Sequence, residues 1–326
     1  MHCHTCPSTK ILGDLLSGHS LTIVMETKMK KVLKGIGFTL LGLVVIVVIA
    51  LAVFYGIGKK RLNAAIPVPS ETVSIPTDAA TISGGEHLTS VHCAACHGTR
   101  MEGGIFLDMP PLGSITAPAI AGGQGKYGTL LSDVELVRAI RHGVGIDAKP
   151  LAVMPSGSFY HFNDQDLGQI IAYLQSLPTT AEPPPPSKLT AIGIALFGLN
   201  AFGDILNGET IDHAAARPAP IEADVTVEYG RYKSLVGECR ICHGPQLSGG
   251  KDPTPGGPFA PNLTPGGNLG VWSEDDFMQT MRTGVTPEGK QLLDAMPWKF
   301  YGKMNDVELK AIYLYLRSLD KLATTN

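Results

Sequence analysis

The sequence predicts an all-α protein in which a single transmembrane helix is followed by two tandem domains. Three observations predict this fold class: an uncharged apolar run near the N-terminus, an internal repeat in the rest of the chain, and matching helical patterns within the two copies. The 326 residues are enough for an anchor and two modest domains. The net charge of −3 argues against binding to nucleic acid, which requires a clustered basic surface.

The transmembrane helix is predicted for residues 35–57, a run of 23 residues without a charge. About 20 apolar residues cross the hydrocarbon core of a bilayer, so the run is long enough to span it. A cleaved signal peptide is the alternative, because Ala50-Leu51-Ala52 resembles a cleavage site. The run is longer than the core of a signal peptide and continues past that site, which favours a retained anchor.

Residues 1–34 precede the anchor and are interpreted as a cytoplasmic tail or as a misassigned start of the chain. The lysines just before the run favour an N-terminus on the inner side. Cys3 and Cys6 have a spacing that suits a metal, but the residue after Cys6 is Pro7. We therefore predict no haem site in the tail.

The chain beyond the anchor repeats itself. GGEHLTSVHCAACHG at 84–98 matches GRYKSLVGECRICHG at 230–244, with an offset of 146 residues. FNDQDLGQIIAYLQSL at 162–177 matches MNDVELKAIYLYLRSL at 304–319, with an offset of 142 residues. We predict a tether at residues 58–80 and two domains that each enclose one cofactor, at 81–180 and 223–326.

The linker between the domains, residues 181–222, begins with four prolines that form a stiff spacer. The apolar part of the linker, residues 189–206, follows the prolines. Its most apolar stretch is Leu189–Phe202. It is too short for a second membrane span, and a span here would place the two domains on opposite sides of the membrane. We therefore predict an interdomain or interfacial segment.

Each repeat contains three predicted helices, and the first of them leads into a Cys-x-x-Cys-His group. The second helix begins at Ser132 in one copy and at Ser273 in the other, where an acid three residues on completes a capping box. The third begins at Asn163 and at Asn305. Long Gly/Pro loops join the helices, which suits a domain built around a large ligand.

The Cys-x-x-Cys-His group is the attachment signature of a c-type haem. The groups consist of Cys93, Cys96 and His97 in the first repeat, and Cys239, Cys242 and His243 in the second. Two thiols one helical turn apart can meet the two vinyl groups of a porphyrin, and the following imidazole lies beneath the iron. A zinc site or a thioredoxin-like pair is the alternative, but two copies in matching repeats favour two covalently bound haem c groups, each with its iron.

Met154 and Met296 are the predicted sixth ligands of the two irons. Both precede a proline and are related by the 142-residue offset of the last helix, and no other methionines match between the repeats. A thioether stabilises the ferrous state and raises the reduction potential, as electron carriers require. Histidine is the alternative ligand, mainly for the first haem, although His142 and His161 have no histidine counterpart in the second repeat.

Two further pairs of residues are candidates for contacts around the haems. The second nitrogen of an axial imidazole usually donates to a carbonyl, and the loops around Pro118 and Pro261 lie at the right place in the sequence. Arg141 and Arg282, at matching helix ends, are candidates for pairing with haem propionates. A solvated arginine near a helix end is the alternative.

At these residues the sequence resembles the class I cytochrome c family twice over. Each resemblance covers about 100 residues and rests on the Cys-x-x-Cys-His-Gly group, the Met-Pro loop and an aromatic residue in the last helix, Tyr173 or Tyr315. It implies two tandem cytochrome c-like domains, each a small all-α fold around a haem with His/Met ligation. The tandem arrangement is similar to dihaem periplasmic cytochromes and to the cytochrome subunits of membrane-bound dehydrogenases.

The sequence therefore predicts an electron carrier in the bacterial cytoplasmic membrane, with its haem domains on the periplasmic side. The expected donor is a dehydrogenase or a quinol-oxidising complex, and the acceptor is an oxidase, a reductase or a reaction centre. The lipid membrane is a further partner. The alternatives are a cytochrome subunit of a membrane-bound dehydrogenase and a dihaem peroxidase-like enzyme, which needs a haem with an open or labile sixth position.

Overall fold

The computed structural model describes residues 10–252 and 256–325, and for residues 10–27 and 127 it describes the backbone alone. Cys3 and Cys6 lie outside the described residues. The chain is mostly helical and divides into two compact units, one ending at Val53 and one beginning at Phe54.

Helix α1 runs from Lys10 to Leu62 and contains the predicted segment 35–57. Its part from Lys28 to Leu62 is long and apolar enough to cross a membrane. The side chains from 28 to 53 are exposed almost without exception, on all sides of the helix. From Gly35 to Val53 these exposed residues include no charged side chain, and an apolar surface on all sides of a helix is suited to a bilayer.

The two repeats contain the same series of helices. In the first repeat they are α2 (Ala79–His92), α3 (Ala94–His97), α4 (Asp133–His142), α5 (Ser156–Phe159) and α6 (Asp164–Ser176). Helix α7 (Ala191–Gly198) lies in the linker. The second repeat contains α8 (Val227–Val236), α9 (Cys239–His243), α10 (Glu274–Thr283), α11 (Trp298–Tyr301) and α12 (Asp306–Ser318).

The predicted starts of the main helices are confirmed. Ser132 and Ser273 are the N-caps of α4 and α10, and each forms the expected capping box. Asn163 and Asn305 are the N-caps of α6 and α12, where their side chains accept a backbone N–H from the third helical residue. These helix starts depend on residues within one turn, which is why the sequence predicts them.

The chain is mostly helical, as the sequence predicts, but short strands also occur in the loops. Strands β1 (Gly104–Met109) and β2 (Gly113–Ala117) pair antiparallel, and β3 (Lys188–Leu189) of the linker pairs with β2. In the second repeat, β4 (Gly250–Lys251) pairs with β5 (Phe259–Ala260). Strands β3, β4 and β5 have two residues each, too few to show an alternating pattern, and the residues of β1, GIFLDM, do not alternate.

The apolar linker forms α7, whose eight residues are too few to cross a bilayer. This helix packs directly on the last turns of α1. A Cβ atom on Gly58 would lie 1.9 Å from the carbonyl oxygen of Ile194, so glycine is required at this backbone contact. Arg61 of α1 bonds to the carbonyl oxygen of Phe197 and forms an ion pair with Glu209.

Helix packing reveals a one-residue difference between the repeats. A Cβ on Gly85 would meet the carbonyl oxygen of Gln169, and a Cβ on Gly230 would meet that of Ala311. These two contacts are equivalent, yet Gly85 and Gly230 are 145 residues apart, whereas the motif cysteines are 146 apart. The additional residue is Glu238, which lies between α8 and α9 with a left-handed backbone (φ 61°). The predicted offset of 146 therefore holds within the Cys-x-x-Cys-His groups and is one residue too large before them.

Each repeat places an apolar side chain in the core of the other repeat. Val91 of α2 packs in the core of the second repeat, and its counterpart Val236 of α8 packs in the core of the first. Polar side chains also make reciprocal contacts between the repeats. His87 of α2 bonds to Glu308 of α12 at 2.7 Å, and Tyr232 of α8 donates to Asp166 of α6 at 2.5 Å. The repeats are therefore joined along α2 and α8, the helices that lead into the Cys-x-x-Cys-His groups.

Candidate functional site

The two Cys-x-x-Cys-His groups have the same local structure. Each lies on a short helix, α3 or α9, that ends at its histidine and is followed by a glycine with φ of 78°. A side chain is strained in this backbone conformation, which explains the glycines Gly98 and Gly244. Cys93, Cys96, Cys239 and Cys242 are all free thiols.

The imidazoles of both motifs are oriented by backbone carbonyls. The Nδ1 atom of His97 lies 2.8 Å from the oxygen of Pro118, and that of His243 lies 2.7 Å from the oxygen of Pro261. These are the loops that the sequence predicts for this contact. With Nδ1–H donating to the carbonyl, the lone pair of a neutral ring is on Nε2, which is the arrangement of an axial ligand. Burial lowers the pKa of both histidines and so favours the neutral ring.

Burial keeps the thiols of both motifs in the protonated form. Burial, with a contribution from nearby carboxylates, raises the pKa of Cys93, Cys96 and Cys239 to about 12 and that of Cys242 to about 11. A thiol has to be deprotonated to bind an ion such as zinc. Within the described ranges, no three His, Cys, Asp or Glu side chains form a cluster that could hold a metal ion.

The predicted methionine ligands occupy equivalent loops. Met154 packs with Cys93 against the core of the first repeat, and Met296 packs with Cys239 against the core of the second. The carbonyl oxygen of each methionine accepts a backbone N–H from two residues on, at 2.8 Å from Ser156 and 2.7 Å from Trp298. The structure therefore brings each methionine to the apolar core that one cysteine of its own motif also contacts.

The alternative histidine ligand His142 has other partners. Its Nδ1 atom lies 2.9 Å from Nδ1 of His213 in the linker, and its ring packs edge-on against Tyr160. The Nε2 atom of His142 faces the carboxylate of Glu71 at 3.6 Å. His161 is half-buried, and burial together with Arg240 and Arg231 lowers its pKa.

The two candidate propionate partners bond to the protein instead. Arg141 is fully buried and bonds to Glu71 of the tether, to the carbonyl oxygen of Phe162 and to Asp164. Arg282 bonds to the carbonyl oxygens of Gly302 and Met304 and to Asp306. Both arginines thus fix the chain just before and at the beginning of the last helix of their repeat.

The donor set of each repeat fits a haem c. It consists of two thiols one turn apart, an imidazole with Nε2 available, and a thioether on a loop that packs on the same core. These are the chemical properties that covalent attachment and His/Met ligation of a haem require. A cavity of about 430 Å³ opens beside Cys242, but it is lined by residues such as Ile241 and Phe259 and not by His243 or Met296, so it lies outside this donor set.

Sequence reasoning missed the polar residues between the repeats. Lys233 and Glu308 are buried and form an ion pair of 2.7 Å, to which His87 adds its hydrogen bond. Glu238, next to the second motif, influences the thiols of both motifs electrostatically, so the two motifs lie near one another. No periodic pattern marks these residues, because their partners are distant in the sequence.

Comparisons with known proteins agree with this arrangement. Residues 82–178 match the family model of cytochrome c. The chain is 25% identical over 283 residues to the fructose dehydrogenase cytochrome subunit of Gluconobacter japonicus, covering 77% of this chain and 55% of that protein. It is 36% identical over 100 residues to the gluconate 2-dehydrogenase cytochrome c subunit of Pantoea cypripedii, covering 28% of this chain and 23% of that protein.

A third relative has a similar length. The diheme cytochrome c-type protein of Cereibacter sphaeroides is 28% identical over 256 residues, covering 69% of this chain and 81% of that protein. By contrast, the matches span about half the length of the fructose dehydrogenase subunit and less than a quarter of the gluconate dehydrogenase subunit. The chain is thus similar both to dehydrogenase subunits and to a dihaem cytochrome.

Proposed function

We propose that this protein is a membrane-anchored dihaem c-type cytochrome that carries electrons. The match of residues 82–178 to the cytochrome c family model supports the proposal. One haem c would be attached at Cys93 and Cys96, and the other at Cys239 and Cys242. The single observation that carries the proposal is the duplicated histidine geometry, in which both motif imidazoles are oriented by a proline carbonyl.

The chain's own residues hold and insulate the two groups. His97 and His243 would hold the irons through Nε2, and Met154 and Met296 would hold them through their thioether sulfurs. When bound, the haems supply reversible one-electron chemistry at iron. The thioether ligands raise the reduction potential, and the apolar cores exclude water, which keeps the ligand set unchanged between the two oxidation states.

The proposed path of the electrons follows from the contact between the two repeats. The two motifs lie near one another along α2 and α8, so both attachment sites border the contact between the repeats. Electrons would enter at one repeat, pass to the other and leave to a separate acceptor. A dihaem peroxidase needs a haem with an open or labile sixth position, whereas a methionine is proposed for that position of each haem. An electron carrier, which binds no substrate at iron, is therefore favoured over a peroxidase.

We propose that α1 anchors the protein in the bacterial cytoplasmic membrane, with the repeats on the periplasmic side. Both motifs follow the anchor, and haem attachment places them in one compartment. The named relatives favour a membrane-bound dehydrogenase as the donor, with this chain as its cytochrome subunit or as a separate carrier. An oxidase, a reductase or a reaction centre would be the acceptor.

The test uses the full chain purified from membranes in detergent. Intact mass is expected to show two covalent haems, and a variant with both Cys239 and Cys242 replaced by serine is expected to show one. A redox titration should then resolve two one-electron steps, and addition of peroxide should give no turnover. A single haem in the unmodified chain, or rapid peroxide turnover, would contradict the proposal.

The membrane position has a separate readout. Washing the membranes at high pH should leave the protein in the pellet, and its intact mass should include residues 35–57. A mature chain that begins after Ala52 would instead support the signal-peptide alternative. Copurification with a dehydrogenase would identify the chain as a subunit of that enzyme, whereas isolation of the single chain would identify a separate carrier.

A further inference from the structure

The loop that carries Met154 is bonded to the linker on both sides of the methionine. The N–H of Val153 donates to the carbonyl oxygen of Ile205 at 2.8 Å. The N–H of Gly157 donates to the side-chain oxygen Oδ1 of Asn207, also at 2.8 Å. Residues 205–208, which we call the linker strap, therefore bracket the methionine from outside the repeat.

The strap is itself fixed in place. The amide nitrogen Nδ2 of Asn207 donates to the carbonyl oxygen of Asp204, which orients Oδ1 toward the Met154 loop. A Cβ on Gly208 would lie 2.8 Å from the carbonyl oxygen of Gly143, so the strap approaches the end of α4 as closely as only glycine allows. Beyond it, His213 bonds to the buried His142.

The second repeat has a different environment at the same positions. Ala295 and Lys299 are the counterparts of Val153 and Gly157, and both are exposed. The side chain of Lys299 forms an exposed ion pair with Asp294. Within the described part of the chain, no segment comparable to the strap lies over the Met296 loop.

The Met154 loop also adopts an unfavourable backbone conformation that the strap offsets. Val153 has φ of 70°, in the left-handed region that β-branched residues rarely adopt. Such a conformation persists only where neighbouring contacts hold it. Its N–H is the one that donates to Ile205, directly before the ligand.

From these contacts we infer that Asn207 is a positioning residue for Met154, and that the linker strap holds this ligand on the first haem. The inference rests on the proposed function, because it requires Met154 to be an axial ligand. Loss of the bond from Gly157 to Asn207 should make Met154 easier to displace. Met296, which has no strap, should be unaffected.

The experiment follows the far-red charge-transfer absorption of ferric His/Met haem while imidazole displaces the methionine. In the full chain carrying Met296→Ala, only the first haem gives this band. Adding Asn207→Ala should lower the imidazole concentration at half-loss by about three- to tenfold, the effect of one lost hydrogen bond. Asn207→Asp keeps an acceptor oxygen for Gly157 but loses the bond from Nδ2 to Asp204, so it should restore only part of the resistance to imidazole.

Two controls separate the strap from general destabilisation. Asn200→Gly removes a linker side chain that bonds to Arg61 and not to the Met154 loop, and it should leave the titration unchanged. In the Met154→Ala background, Asn207→Ala should not change the titration of the second haem. A similar shift at both haems, or no shift at the first, would overturn the inference.

The proposed ligation is tested by the same samples. If the Met296→Ala chain shows no far-red band before imidazole is added, Met154 is not a ligand, and both the ligation and the inference fall. If the band is present but Asn207→Ala leaves its titration unchanged, only the role of the strap falls. The two failures are therefore distinguishable.

Discussion

Arg141 and Arg282 occupy equivalent positions in the two repeats but lie in different surroundings. Arg141 has no exposed side-chain surface and pairs with Glu71 of the tether, whereas 34% of the Arg282 side chain is exposed. The tether also passes close to α6, where a Cβ on Gly168 would meet the carbonyl oxygen of Ser74. The first repeat is therefore wrapped by the tether and the linker, while the second presents its corresponding surface to solvent.

This difference shows which properties come from the repeat and which from the segments around it. Both repeats form the same helices, helix caps and histidine–carbonyl bonds. The burial of Arg141 and the contacts of the Met154 loop come from chain outside the repeat. Two copies of one repeat can therefore place their Cys-x-x-Cys-His groups in unequal environments.

The largest effect is expected at the buried ion pair between the repeats. Lys233 and Glu308 are almost fully buried, so Lys233→Met would leave a buried carboxylate with His87 as its remaining side-chain partner. We expect a loss of about 3–5 kcal/mol in the free energy of unfolding. Chemical denaturation of the haem-loaded chain measures it. Lys310→Met, which removes a half-exposed pair with Glu274, should cost at most about 1 kcal/mol.

The same pair predicts a dependence on acid. Burial alone would raise the pKa of Glu308, but the hydrogen bond from His87 and the charge of Lys233 outweigh it and lower the pKa to about 2. The stabilisation is therefore complete above the ordinary carboxyl pKa of 4.5 and is lost as the pH falls toward about 2. The free energy of unfolding should be measured from about pH 6 to about pH 2.5. It should fall less in acid for Lys233→Met than for the unmodified chain. An identical acid loss would contradict this role of Glu308.

The sequence predicted the parts of the molecule that neighbouring residues determine. The caps at Ser132 and Ser273 need only one helical turn, and each Cys-x-x-Cys-His group is five residues long. The insertion of Glu238 was not predicted, because it becomes visible only when Gly85 and Gly230 are compared through their contacts on α6 and α12. The linker strap depends on Asn207, a residue without a pattern, whose partner is 50 residues away.

The next effect in size tests the unequal wrapping of the repeats. Arg141→Ala would break the buried ion pair with Glu71 and leave that carboxylate facing His142, and we expect a loss of about 3 kcal/mol. Arg282→Ala removes a partly exposed pair and should cost about 1 kcal/mol. Denaturant midpoints of the two variants measure the difference. Equal losses would mean that the tether contributes nothing to the first repeat.

The smallest effect should be the same in both repeats. Ser132→Ala and Ser273→Ala each remove one N-cap side chain, which costs about 1 kcal/mol. Because each serine hydroxyl donates to the carboxylate of the acid three residues on, thermal unfolding should show similar losses. A loss at one serine only would mean that the helices α4 and α10 are not equivalent.

The most direct test of the account is the ligation of both irons. We measure the far-red charge-transfer absorption of the ferric protein in Met154→Ala, in Met296→Ala and in the double variant. The account predicts that each single substitution removes the contribution of one haem and lowers its reduction potential, and that the double variant has no band. An unchanged band and potential in either single variant would show that its methionine is not a ligand.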